Sequence, residues 1–283
     1  MKINVWSSSS WWQEIDGSKN WQDGIFLTLC GFYALVSAIA LIQLIRIQIR
    51  VPEYGWTTQK AFHLMHFIVY GVRAAVFGFH IQVLHLHPKV CVWVLLEVPG
   101  LLFFSTYTLL VQYWAEIYHQ ACETARSWPT DKLRTTYVCV NVGVYVIQAC
   151  IWIYLWVDDS SSIRYAGKLF IAVVSFVAAV GFLSYGGRLY NMLRGFPIDS
   201  KGRRNKLHEV GSVTTICCTF FIARCFVNVL SASNSEVSLD ALGHPVLNLI
   251  FYMLTEILPS AMVLFILRKL PPKRVSAQSK RDH

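Results

Sequence analysis

Seven long apolar stretches run through this chain, separated by short polar connections. A helix rises about 1.5 Å per residue and the hydrocarbon slab of a bilayer is about 30 Å thick, so one crossing takes about 20 mainly apolar residues. The stretches from Gly24 to Leu44, Ala61 to Val83, Cys91 to Trp114, Thr136 to Val157, Gly167 to Tyr190, Val210 to Ser231 and Val246 to Leu267 all meet that length. The pattern predicts an all-α membrane protein, a seven-transmembrane-helix bundle. Residues 1–23 form an N-terminal segment, 24–268 the membrane domain and 269–283 a basic tail.

Charge decides the orientation. Lys and Arg in short connections stay on the cytosolic side during insertion. One set of connections, with the C-terminal tail, holds eighteen of them, and the other set holds five: Lys2, Lys19, Lys89, Arg164 and Lys168. The rich side is therefore expected to be cytosolic with the carboxyl terminus, and an odd number of crossings puts the amino terminus in the non-cytosolic space. Trp6, Trp11, Trp12, Trp21, Trp152 and Trp156 fit an aromatic belt at the non-cytosolic interface, and Trp56 and Trp114 are expected to mark the cytosolic one.

Only 14% of the 283 residues are charged and 55% are hydrophobic, which leaves little surface for water. The net charge of +9 is accounted for by the loops, so direct nucleic-acid binding is not expected. Most of the eight cysteines lie inside the stretches and none forms a CxxC pair, which argues against a disulfide framework or zinc ribbon.

Ionisable groups inside hydrocarbon are costly and face the bundle interior. Arg73, Glu97, Arg224 and Glu256 are such groups. Counted from the same membrane face, Arg73 lies about ten residues in and Glu97 about six, a difference of about one turn. Depth therefore pairs Arg73 with Glu97 and, by the same reasoning, Arg224 with Glu256. His63, His66, Tyr70, Arg73, Phe77 and His80 recur at spacings of three and four along the second stretch, giving it one polar face. Asn248, Tyr252 and Glu256 do the same in the seventh, one turn before Pro259. With Asn228, the residues His66, Tyr70, Asn248 and Tyr252 are expected to line a polar interior; ordinary helix-to-helix hydrogen bonding is the simpler alternative. The histidines do not share a depth, so no metal site is expected, and no catalytic motif or cofactor-binding sequence is present.

Four segments carry a resemblance: RIQIRVPEYGWTTQKAFHLMHF (Arg46 to Phe67), EVPGLLFFSTYTLLVQYWAEIYHQA (Glu97 to Ala121), SYGGRLYNMLRGFPIDSKGRRNKLHEVG (Ser184 to Gly211) and HPVLNLIFYMLTEILPSAMVLFILRKLPPKR (His244 to Arg274). The chain resembles the plant tobamovirus multiplication protein family over nearly its whole length. The lack of a catalytic motif already leads to the expectation that the chain is not an enzyme. The resemblance implies a multi-pass protein of the vacuolar membrane, the tonoplast. It implies a host factor that anchors the tobamovirus replication protein, through its helicase-like part, for assembly of the viral RNA replication complex. A tetraspanin-like host membrane protein and an ADP-ribosylation-factor-like small GTPase are the further partners implied. No family motif assigns residues to these contacts. On charge alone, Arg46, Arg50 and Lys60 of the first cytosolic connection, with Lys201, Arg203, Arg204 and Lys206 of the third, are expected to form a docking face. Oligomeric state is left open, a homo-oligomer included. The rival readings are a receptor with the architecture of the G-protein-coupled type and a small-molecule or ion transporter using the polar interior. Glu116, Ile117 and Tyr118 stand where such receptors usually carry Asp, Arg and Tyr, which counts against the first.

Overall fold

The computed structural model describes residues 19–50, 57–84, 87, 89–121, 130–158, 160–195, 201–233 and 245–268. They form α1 (Lys19–Arg50), α2 (Thr58–Gly78), a short α3 (His80–Leu84), α4 (Lys89–Ala121), α5 (Thr130–Val157), α6 (Ser161–Gly195), α7 (Lys201–Ser233), α8 (Pro245–Tyr252) and α9 (Leu258–Ile266). A π-helical turn, Met253–Ile257, joins α8 to α9 in one continuous span. Seven helices are long and apolar enough to cross a membrane, and no strand occurs among the described residues.

Both faces of a membrane helix are apolar, and α1 shows how the two differ. Phe32, Leu35, Ile39, Ile42, Ile45 and Ile49 follow helical spacing on its exposed face. Leu29, Tyr33, Val36 and Ala40 follow the same spacing on its buried face. Side chains of similar hydropathy are thus sorted by which of them meet another helix, not by polarity.

Around the bundle α1 packs on α2 and on the last span, α2 on α4, α4 on α5 and α6, α6 on α7, and α7 on α9. Half of the most apolar window of α4 is buried against 17% for that of α5, so α4 runs through the middle and α5 along the rim. A Cβ at Gly186 would fall on the side chains of Thr214 and Trp114, so glycine sets how closely α6 approaches α7. Trp114 is 3% exposed and packs edge-on against Phe182, at 5.6 Å between centroids. It belongs to the core and does not mark an interface as expected; Trp21 and Trp156 are exposed as an interfacial belt requires.

Two helix interruptions shape the interior of the bundle. The apolar pattern predicts a second span running to Val83, but α2 ends at Gly78, and Phe79 turns the chain into α3. There the His80 Nε2 atom lies 2.8 Å from Asp23 Oδ1, tying α3 to the start of α1. In the last span Pro259 has no N–H to offer the preceding turn, and the backbone ahead of it widens into the π turn. The extra residue buries Thr255, Glu256 and Ile257 consecutively, which a regular helix crossing a flat interface would not do.

Candidate functional site: a buried arginine, glutamate and arginine cluster

The π turn aims Glu256 into the centre of the bundle, where it is 1% exposed. Its Oε1 accepts from Arg73 Nη2 at 2.8 Å and from Arg224 Nη1 at 2.9 Å. Its Oε2 accepts from Arg73 Nε at 3.1 Å and from Tyr33 Oη at 2.8 Å. The remaining Arg73 nitrogen, Nη1, donates to the Leu96 carbonyl at 2.9 Å. Four spans meet at one carboxylate: α1 through Tyr33, α2 through Arg73, α7 through Arg224 and the last through Glu256.

One carboxylate between two guanidinium groups leaves a surplus positive charge, and aromatic faces take it up. The Arg73 guanidinium carbon sits 4.8 Å from the Tyr252 ring centroid, and that of Arg224 lies 5.6 Å from Phe103. Gly100 makes room for the second arginine, since a Cβ there would lie 2.7 Å from Arg224 Nη2. Toward the end of the bundle bearing Arg46 and Arg268, the hydroxyls continue the network. Tyr70 Oη donates to the Glu256 main-chain carbonyl at 3.1 Å and is hydrogen-bonded to Ser260 Oγ, which also meets Tyr107 Oη at 2.8 Å. Buried hydrogen-bonded charges of this kind hold register between helices, because breaking one contact strands a charge in hydrocarbon.

The structure brings Arg224 to Glu256, but Arg73 goes to Glu256 and not to Glu97. Depth matches in both cases; direction around the helix does not. Neighbouring residues on a helix point about 100° apart, so α4 turns its Leu96 carbonyl to Arg73 and its Glu97 carboxylate to α5. There Glu97 Oε2 accepts from Trp152 Nε1 at 2.6 Å and from Gln148 Nε2 at 2.8 Å.

Of the expected interior residues, His66 is fully buried with Nδ1 3.0 Å from the Phe62 carbonyl and its ring stacked on Tyr70. Asn248 is 2% exposed, whereas Asn228 donates back to the Arg224 carbonyl of its own helix at 2.8 Å. His66 and Tyr70 pack on each other and on neighbouring aromatic rings, as Tyr252 does on Tyr33 and Phe77. A cleft of about 670 Å³ lies elsewhere, between α6, α7 and α9, lined by Gly186, Tyr190, Gly211, Thr214 and Met262 among others. Tyr33, Ser260 and Tyr107 join the interior network without any sign of it in the sequence, because single hydroxyls in apolar runs give no signal beyond their residue type; Trp152, expected in the interfacial belt, is half-buried and donates to Glu97.

Of the expected docking residues, Arg46 and Arg50 are exposed at the end of α1. Lys60 is 4% exposed, so its ammonium is not offered to a partner; Thr57 caps α2 by accepting from the Lys60 N–H and draws this turn into the bundle. Lys201, Arg203, Arg204 and Lys206 belong to the first turns of α7, and their side chains lie outside the described residues. The first 18 residues, Trp56 and residues 269–283 also lie outside them. No group of three or more metal-ligating side chains occurs among the described residues.

The sequence profile described as the THH1/TOM1/TOM3 domain matches residues 7–283. The chain belongs to the THH1/TOM1/TOM3 family. It is 68% identical to Tobamovirus multiplication protein 1 of Arabidopsis thaliana over 95% of this chain and 91% of that protein. Identity to Tobamovirus multiplication protein 1 of Nicotiana tabacum is also 68%, over 96% of this chain and 93% of the relative. Tobamovirus multiplication protein 3 of Nicotiana tabacum is 55% identical over 94% of this chain and 89% of its own length. No solved structure matches the chain.

Proposed function

We propose that this chain is a host factor for tobamovirus multiplication, acting as a membrane anchor that recruits the viral replication protein, through its helicase-like part, to the vacuolar membrane. The observation that carries this reading is identity of 68% across nearly the full length of a protein named for tobamovirus multiplication. An alignment spanning 95% of the chain takes in loops whose sequence the bilayer does not dictate. In this reading the basic end of the bundle is cytosolic, residues 1–23 are non-cytosolic and the tail 269–283 is cytosolic. A tetraspanin-like membrane protein and an ADP-ribosylation-factor-like GTPase complete the assembly, in which the viral RNA replication complex is built.

A soluble partner meets only what projects from the membrane. Arg46, Arg50 and the connection from Arg188 to Glu209, which holds Lys201, Arg203, Arg204 and Lys206, supply the docking charge. The test is co-flotation of the helicase-like part with vacuolar membranes from plant cells that lack this chain and its relatives. Restoring the chain brings the viral protein to the membrane fraction. Replacing Lys201, Arg203, Arg204 and Lys206 with Gln, at equal membrane insertion, lowers recovery about tenfold if the loop supplies a few charge-assisted contacts. Undiminished flotation with that variant removes the loop from the account, and no flotation with the restored chain removes the anchor.

A further inference from the structure

The end of the bundle that carries the basic residues holds polar groups that the Glu256 cluster does not use. Gln43, Arg46 and Ile47 of α1, His63 of α2, and Leu267 and Arg268 after α9 line a narrow cleft. His63 is 0% exposed, and among the described residues neither of its ring nitrogens has a hydrogen-bond partner; the Oε1 atom of Gln43 is likewise buried and unpartnered there. Buried polar atoms are nearly always satisfied, so three orphans on two residues of one cleft point to an occupant.

Charge and geometry define its class. Arg46 and Arg268 are exposed, neither has a carboxylate partner among the described residues, and no acidic residue lines the cleft. The Arg268 guanidinium carbon rests 4.0 Å from the Phe265 ring centroid. Two guanidinium forks and an imidazole N–H offer more donors than the two oxygens of a carboxylate accept well; a phosphate group has an oxygen for each. The cleft has no room for a free water with its side chains as they stand, so binding there requires the exposed Arg46 and Arg268 side chains to turn outward. Helix dipoles decide little here, because α2 begins at this end while α1 and α9 finish there. The level suits a headgroup, since the apolar spans end at this cleft.

We propose that the cleft between α1, α2 and α9 binds a phosphate group, clasped by Arg46 and Arg268 at the mouth and hydrogen-bonded by His63 at the floor. Its source is either a phospholipid headgroup or soluble phosphate. The inference does not depend on the viral role.

The experiment uses full-length protein released from nanodiscs of phosphatidylcholine with added phosphatidic acid, with retained lipid read by native mass spectrometry. Thermal unfolding is followed in parallel in inorganic phosphate and in chloride at equal ionic strength. Phosphatidic acid is retained in preference to phosphatidylcholine, and the Arg46→Gln and Arg268→Gln double variant loses about tenfold or more of that preference. An Arg188→Gln and Arg194→Gln double variant, neutralised at the same end but away from the cleft, keeps it. His63→Leu removes the orphaned nitrogens at similar volume, so it leaves the phosphate-free protein at least as stable while weakening the preference. If inorganic phosphate stabilises the protein and displaces phosphatidic acid, the site takes phosphate from either source; if it does neither while phosphatidic acid stays bound, the ligand is the lipid. Equal retention of the two lipids with no response to inorganic phosphate overturns the proposal, as does an equal loss in the two double variants.

Discussion

Glu256 accepts from Arg73, Arg224 and Tyr33 at distances of 2.8 to 3.1 Å, so removing its charge strands two guanidinium groups in the interior. Glu256→Gln is expected to cost about 3–5 kcal/mol, read as a lowered unfolding midpoint in detergent, because it breaks a buried ion cluster from the side of its single anion. Glu97→Gln is expected to cost only about 1 kcal/mol, since its partners Gln148 and Trp152 are neutral. Double-mutant cycles separate the two arrangements. Arg224 and Glu256 should couple by about 0.5–3 kcal/mol, whereas Arg73 and Glu97 should add to within about 0.5 kcal/mol. The ionisable members of the cluster are legible from the sequence because Arg and Glu in apolar runs demand a reason. Their pairing is only half legible: residue counting gives depth along a helix, while the choice between Glu97 and Glu256 is made by direction around it. Tyr33 and Ser260 are not legible at all, because one hydroxyl in a greasy stretch needs no partner outside its own helix to be tolerated.

Among the elements, apolar run length locates all seven spans but not their ends. The fifth span occupies 35 residues, Ser161–Gly195, well beyond the apolar portion from Gly167 to Tyr190, because polar helix ends extend past the slab. The break at Phe79 and the π turn at Met253–Ile257 are not readable from periodicity, although Pro259 marks the neighbourhood of the second. Two glycines carry element-level predictions. Gly186→Val places branched atoms where Thr214 and Trp114 already sit, so α6 and α7 must separate; a loss of about 1–3 kcal/mol in the same unfolding assay is expected. Gly100→Ala puts a methyl 2.7 Å from Arg224 Nη2, whose guanidinium is held by Glu256, so it displaces a buried charge and should cost about 3–5 kcal/mol in the same assay. It should also abolish most of the Arg224 and Glu256 coupling in a cycle while leaving most of that of Arg73 and Glu256.

At the scale of the whole molecule, every functional statement depends on which compartment receives the basic end. The family relationship brings tobamovirus multiplication into view, and our proposal reads the charge asymmetry as a cytosolic face that holds a soluble replication protein. On the same proposal an odd number of crossings separates the two chain ends, which puts Arg46, Arg268 and the connection from Arg188 to Glu209 on the side of the tail. The direct measurement is compartment mapping in plant cells, with a split fluorescent reporter fused in turn to each end of the full chain and its complement expressed in the cytosol. The account predicts fluorescence from the carboxyl-terminal fusion and none from the amino-terminal one. Fluorescence from both ends, or from the amino terminus alone, would contradict it.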